Sequence, residues 1–337
     1  MRNWQETDSV FGEIARLRRE GRSGALAMIV GLEGSAYRLP GAKLLVREDG
    51  SMLGNVSGGC LENDVRERSL AVMKTGRAET VTYDTSGAED KIWGMGVGCN
   101  GVVTLIILPI TDEANAAVVD DVRELVRGDS EFGLSVVLEG EGIGGLAVCR
   151  DSARKTGTGE GEDGTKVFTE VLVPPPHVIV VGAGDDSIPL VALACEAGFR
   201  VTVVDHRRAY VADERFPCAL RRLVGRADDG VLELPPPQAV MAVVKLHILA
   251  EDKAWVSYFC NAGVKYIGLL GSRSRREEIT EGLPPDKKAS VYGPVGLDLG
   301  AEGPEQVAVS IVSELLAVWS GRAPGHLRDR KKGIHEK

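Results

Sequence analysis

The sequence opens with Phe11, Ile14 and Leu17 at helical spacing among charged residues, one apolar stripe on a polar cylinder. This predicts an amphipathic helix over residues 8–20, with Asp8 placed to accept from its free amides. Residues 25–30 (ALAMIV) form an apolar run of strand length, followed by a turn-rich stretch from Gly31 to Gly41. Residues 43–47 and 52–56 flank Asp49-Gly50, a pair that favours the tight turn of a β-hairpin. A helix is expected from Leu61 to Lys74, and strands over Thr80–Tyr83 and Val102–Leu108, with a glycine-dense loop from Ser86 to Gly101 between them. Residues 113–127 read as helix, and 134–150 as a hairpin of LSVVLEG and GLAVCR.

The rhythm then changes. Residues 151–166 (DSARKTGTGEGEDGTK) hold almost no apolar side chain, so they read as a linker or a long exposed hairpin tip. Pro174-Pro175-Pro176 closes this stretch stiffly, and the main boundary is placed here. From His177 the order is strand, glycine turn, helix, strand: Val178–Val181, a helix over 187–198, then Val201–Val204. Val240–Val244 and Tyr266–Leu270 are further all-apolar runs, as expected of parallel strands covered on both faces. A last helix over 304–318 carries Pro304 in its first turn and an apolar stripe of Val307, Ile311, Val312 and Leu315. The expected fold class is α/β: a C-terminal Rossmann-like doubly wound parallel sheet preceded by an N-terminal α+β domain. The expected divisions are residues 1–112 for that first domain, 113–173 for a connecting helix, hairpin and flexible linker, 174–320 for the Rossmann-like domain, and 321–337 for a basic tail.

A chain of 337 residues has room for two domains of the usual roughly 100–200 residues each. Its net charge of -9 argues against general nucleic-acid binding, which needs a basic face. The six cysteines are widely spread with no CxxC pair, so this is no disulfide scaffold and reads as a reduced, cytoplasmic protein. The first 17 residues carry Glu6, Asp8 and Glu13, unlike a secretory signal. No apolar run approaches the ~20 residues of a membrane span.

Two places carry candidate chemistry. The first is Gly182-Ala183-Gly184-Asp185-Asp186-Ser187, where Gly182 suits a tight turn and Gly184 lets a backbone approach a pyrophosphate. Ser187 takes the third glycine position and predicts slightly looser helix–strand packing. Asp205, at the end of the next strand, can bind both ribose hydroxyls of a dinucleotide and would repel a 2′-phosphate. Asp185 and Asp186 suit a helix N-terminus but would repel a diphosphate, so a Rossmann-like domain that binds no dinucleotide stays open as a second reading. Arg207 can pair with a phosphate or simply be solvated. The second place is Ser57-Gly58-Gly59-Cys60, between a strand and a helix, where backbone amides can cup an anion and a helix dipole favours a thiolate. Cys99 ends a second glycine loop, Gly94-Met95-Gly96-Val97-Gly98-Cys99. Both cysteines also fit small buried hydrophobes. Cys195, on the apolar face of a helix, reads as packing, and His247 at a strand end as structural.

Gly34-Ser35-Ala36-Tyr37-Arg38-Leu39-Pro40-Gly41-Ala42-Lys43, and Gly54 followed by Ser57-Gly58-Gly59-Cys60-Leu61-Glu62, resemble the xanthine dehydrogenase accessory protein family, XdhC/CoxI. Gly96-Val97-Gly98-Cys99 resembles its second glycine motif, and the segments around Val180–Pro189, Val201–Arg207, Tyr266–Arg273 and Gly293–Glu302 resemble its Rossmann domain. The sequence departs from the family pattern at Tyr37, at Asn100, and at Lys245-Leu246-His247-Ile248.

The resemblance implies a chaperone, rather than a turnover enzyme, that transiently binds molybdenum cofactor and aids its insertion into a xanthine dehydrogenase or related molybdenum hydroxylase. It maps the cofactor-linked, metal-facing cysteine onto Cys60, with Ser57, Gly58, Gly59, Cys99, Arg38 and Lys43 as further cofactor-binding candidates. The glycine turn and the acid after the next strand, read from the residues themselves, offer Gly182, Gly184, Asp205 and Arg207 to NAD or another nucleotide. The implied partners are the hydroxylase client, a sulfur-donating cysteine desulfurase and a second copy of the chain, with no nucleic acid and no membrane. Two other readings stay open: an NAD(P)-dependent oxidoreductase, for which no acid–base pair is apparent in the N-terminal half, and a nucleotide-sensing regulatory module.

Overall fold

A computed structural model describes residues 2–84, 101–110, 115–150, 155–161 and 164–330. The chain divides into two compact units, Met1–Pro174 and Pro175–Lys337. The second glycine loop with Cys99 and Asn100 lies outside the described residues, as does the end of the basic tail. No described helix is long and apolar enough to cross a membrane.

The first unit begins with α1 (Arg2–Arg19) and β1 (Gly24–Gly34). The helix starts well before Asp8, which therefore lies inside it and caps nothing. Trp4 explains the early start: it is buried against Phe132, and its indole N–H donates to the Val126 carbonyl at 3.1 Å. Next come β2 (Lys43–Arg47), β3 (Met52–Gly54), α2 (Glu62–Thr75), β4 (Glu79–Asp84) and β5 (Gly101–Pro109). These strands form an antiparallel sheet in the order β3-β2-β1-β5-β4. Central β1 is apolar on both faces because both are covered. Leu26, Met28 and Val30 join a cluster with α1, while Ala25, Ala27 and Ile29 join another with Val65 and Val72 of α2.

The rest of this unit is α3 (Ala116–Leu125), β6 (Phe132–Val137), β7 (Leu146–Cys149), β8 (Gly157–Glu160) and β9 (Lys166–Leu172). The four strands form a second antiparallel sheet, ordered β7-β6-β9-β8. Val119, Val122, Phe132, Leu134, Phe168 and Leu172 enter the same apolar cluster as Phe11 and Leu26. This segment therefore completes the core of the first unit. Part of the stretch 151–166 is strand: Gly157–Glu160 pairs with Thr169–Lys166. A strand so polar is stable only at a sheet edge, where one face and one ladder meet water and polar side chains resist further pairing.

The second unit holds β10 (His177–Val181), α4 (Ser187–Glu196), β11 (Arg200–Asp205), β12 (Arg221–Val224) and β13 (Val240–Val244). It continues with α5 (Leu249–Asn261), β14 (Tyr266–Leu269), α6 (Arg273–Ile279), α7 (Pro285–Ala289), β15 (Val291–Tyr292) and α8 (Gly303–Ser320). All strands are parallel, in the order β12-β11-β10-β13-β14-β15. This is the Rossmann order, which reverses between the first and fourth strands. Trp255, Val256 and Phe259 of α5 cover one face of the sheet, while α4, packed on α8, lies against β10 and β11. Ligands of open parallel sheets sit outside the carboxyl ends at the reversal, here between the ends of β10 and β13.

Candidate functional site

In the first unit, the turn from β3 into α2 presents Ser57-Gly58-Gly59-Cys60. A knot of hydrogen bonds fixes its shape. The Ser57 hydroxyl donates to the Glu62 carboxylate and accepts from the amides of Gly59 and Leu61, each at 3.1 Å. Glu62 also accepts from the amides of Ser57 at 2.8 Å and Val56 at 3.3 Å. The amide cup expected from sequence is thus partly filled by the chain itself, since the Ser57 hydroxyl and the first-turn carboxylate of α2 take the amides of Ser57 and Gly59. Gly59 holds φ +111°, a conformation that a β-carbon resists. Cys60 is half-buried against the apolar cluster beneath α2. The ring of Tyr37, 56% exposed, lies beside Gly58: a β-carbon there would stand 3.9 Å from it.

Arg38 is near this loop but engaged. Its guanidinium is ion-paired with Glu6 and hydrogen-bonded to both oxygens of Asn55, and it is almost wholly buried. Lys43 points elsewhere. Its fully buried ammonium lies 2.5 Å from Glu170 of β9 and donates to the Gly41 carbonyl at 2.8 Å. Asn3 donates to the other Glu170 oxygen at 2.8 Å, and Glu6 accepts from the Lys43 amide at 2.9 Å. Two acids and two bases thereby tie α1, the β2–β3 hairpin and β9 together. The structure brings Ser57, Gly58, Gly59, Cys60, Tyr37 and Arg38 to one region and turns the Lys43 side chain into the interior.

In the second unit, the turn after β10 meets the end of β13. Gly182 has φ +108°, and a β-carbon on it would stand 2.7 Å from the Lys245 carbonyl. Ser187 does not loosen the packing. It is fully buried, donates to the Gly182 carbonyl at 2.6 Å and accepts from the Lys245 ammonium at 2.7 Å. Lys245 also lies 2.6 Å from Asp186, whose second oxygen is 3.7 Å from the His247 imidazole. Burial pushes the Asp186 carboxyl up, but the bond and charge of Lys245 together with His247 outweigh it and hold the group below its ordinary range. His247 has φ 64°, a left-handed backbone unusual for a residue with a β-carbon. The sequence does not single out Lys245 or His247 for binding, since what they meet depends on which strands become neighbours.

Asp205 is occupied too. One carboxylate oxygen accepts from the Ala183 amide at 2.8 Å, and Arg207 spans both oxygens at 2.8 and 3.0 Å. Burial raises this carboxyl, and the Arg207 and amide bonds bring it below normal. Arg207 is neither free nor merely solvated, because it also lies 4.0 Å over the Tyr210 ring. Arg215 clamps the glycine turn through Asp185 at 2.8 Å and the Ala183 carbonyl at 3.0 Å. A dinucleotide does not fit these residues as they stand: carboxylates hold the diphosphate position and the ribose-binding acid is already bonded. Calorimetry with millimolar NAD or NADP is expected to give no heat beyond dilution. A saturable isotherm with either would show that Asp186 and Asp205 yield to a nucleotide.

A Rossmann unit joined to an antiparallel unit with a serine–glycine–glycine–cysteine loop defines a two-part α/β protein, and comparison supplies its family. Residues 17–84 match the family model of the XdhC and CoxI family, and residues 178–315 match that of the XdhC Rossmann domain. A relative from Bacillus subtilis (strain 168), named as a probable xanthine dehydrogenase subunit, is 34% identical over 89% of this chain and 94% of its own. The chain belongs to the XdhC and CoxI family. The molybdenum cofactor insertion chaperone PaoD of Escherichia coli (strain K12) is 34% identical over 87 residues, 26% of each protein. A crystal structure described as a xanthine dehydrogenase, from Bacillus halodurans, superposes with a TM-score of 0.80 at 28% identity, covering 93% of this chain and 96% of that one.

Proposed function

We propose that this chain is an accessory carrier that receives molybdenum cofactor as cargo and passes it to a xanthine dehydrogenase-type hydroxylase. The observation that carries this reading is the half-buried Cys60 thiol on a loop whose shape is fixed by Ser57 and Glu62. A thiol is a soft ligand suited to a metal already held by sulfur. A rigid loop delivers it at little entropic cost. The Tyr37 ring offers a flat apolar face next to Gly58 on which a pterin can lie. The PaoD relative, a cofactor insertion chaperone, and the B. subtilis relative, a probable xanthine dehydrogenase subunit, support the same assignment. The reading also gives the protein a molybdenum hydroxylase client, a sulfur-donating cysteine desulfurase and self-association as a dimer. An oxidoreductase using NAD(P) is disfavoured by the carboxylates at the glycine turn.

The test is cofactor retention. Protein purified without oxygen from cells that make molybdenum cofactor is oxidised, and the released pterin is read by fluorescence. Near-stoichiometric pterin is expected. Protein that carries none, and takes up none from a cofactor-loaded donor, would overturn the assignment.

A further inference from the structure

Cys195 stands in the last turn of α4, and Cys218 in the segment between β11 and β12. Both belong to the second unit. The Cys195 thiol lies 3.3 Å from the Cys218 carbonyl. The Cys218 thiol in turn lies 3.8 Å from the carbonyl of Val191, one helical turn below Cys195. Each sulfur therefore rests on the backbone that carries the other. Cys218 is exposed and Cys195 half-buried, whereas Cys260 of the same unit is buried. The segment bearing Cys218 is anchored. Phe216 is buried, and Arg222 donates to the carbonyls of Phe216 and Ala219 at 2.8 and 2.7 Å. The pairing is thus built into the fold and replaces the packing role that sequence gave Cys195.

We propose that Cys195 and Cys218 form a dithiol site that a low-molecular-weight disulfide, such as glutathione disulfide, converts to an intramolecular disulfide. The exposed Cys218 thiolate attacks one sulfur of the reagent, breaking its S–S bond and releasing one thiolate, which takes up the proton Cys218 lost. The Cys195 thiolate then attacks the Cys218 sulfur of the mixed disulfide. The Cys195–Cys218 bond forms, and the second reagent thiol leaves with the proton from Cys195. Two protein thiols are oxidised and one reagent disulfide is reduced to two thiols. Burial and the neighbouring Cys218 thiol push the Cys195 thiol above its ordinary range, so the second step speeds up with pH. Closure links the C-terminal end of α4 to the segment whose Arg215 already holds Ala183 and Asp185 at the other end of that helix. The glycine turn is then held from both ends of α4.

Reduced full-length protein is incubated with glutathione disulfide, quenched with acid and digested with trypsin without reductant. Cleavage after Lys166, Arg200, Arg215 and Arg221 places Cys195 and Cys218 on separate peptides, 167–200 and 216–221. The expected result is a cross-linked pair of these peptides, abolished by dithiothreitol and formed faster at higher pH. Cys195→Ser should instead hold a stable glutathione adduct at Cys218. Two results on the unmodified protein would overturn the proposal: an adduct on Cys218 that never resolves to the cross-link, or cross-links that reach Cys60 or Cys149 instead.

Discussion

Cys60→Ser is expected to fold as the parent does and to lose at least about tenfold in affinity for molybdenum cofactor, with a matching loss in activation of a client hydroxylase. Fold and binding separate here because the loop is shaped by Ser57 and Glu62, and the Cys60 thiol takes no part in that knot. Serine keeps the volume of cysteine but offers a hard, protonated hydroxyl where a soft sulfur is needed. The half-buried position against the α2 cluster limits the stability cost to about 1 kcal/mol, or a few degrees of melting temperature for a unit of this size. Ser57→Ala should act in the opposite sense. It frees the amides of Gly59 and Leu61, and the loop loses its shape although the thiol is retained. If Cys60→Ser instead melts well below the parent while its folded fraction binds cofactor normally, the thiol is a packing group.

Lys43→Ala is expected to destabilise the first unit by about 3–5 kcal/mol, because it strands a buried carboxylate without its counter-charge. That is a large share of the roughly 5–15 kcal/mol that holds a typical domain together. Glu170 is 1% exposed, and among the described residues Asn3 would remain as its hydrogen-bond partner. Burial already lifts its carboxyl above the usual range, with Lys43 as the main opposing influence. Without Lys43 the folded protein would bind a proton there more tightly than the unfolded chain does. The variant's stability is therefore greatest below the ordinary carboxylate pKa and falls as pH rises through the lifted value. The double change Lys43→Met with Glu170→Met should recover most of the loss. Thermal melting of the three proteins across pH decides the matter. A Lys43→Ala protein that melts like the parent and fails only in cofactor binding would make Lys43 a ligand-facing residue.

Much of the fold can be read from local pattern. The run Val240–Val244 coincides with β13, and Asp49-Gly50 turns between β2 and β3. Gly182 marks a backbone conformation and close approach that side chains resist. The short β12 and β15 and the polar β8 are harder to read, since two to four residues carry little periodicity and pairing supplies their stability. The candidate sites divide in the same way. Ser57-Gly58-Gly59-Cys60 is local and visible, and a serine ahead of a helix with a carboxylate in its first turn is a local sign that the amides are taken. Lys43 with Glu170, Asp186 with Lys245, and Cys195 with Cys218 join residues 127, 59 and 23 positions apart. Only strand order and register bring such partners together, and no spacing rule announces them.

The knot at Ser57 and Glu62 also bears on how long a cargo stays. Four amides that would otherwise grip an anionic ligand are already satisfied. On the proposed function, a cofactor docked at Cys60 would rest mainly on the sulfur, the aromatic face and the amides that remain. Differences in affinity among related complexes reside mostly in the dissociation rate, so on that proposal a narrow grip would set a short residence time. On the same proposal, a competing ligand in the recipient would need to displace few contacts, and handover would proceed without unfolding the donor loop.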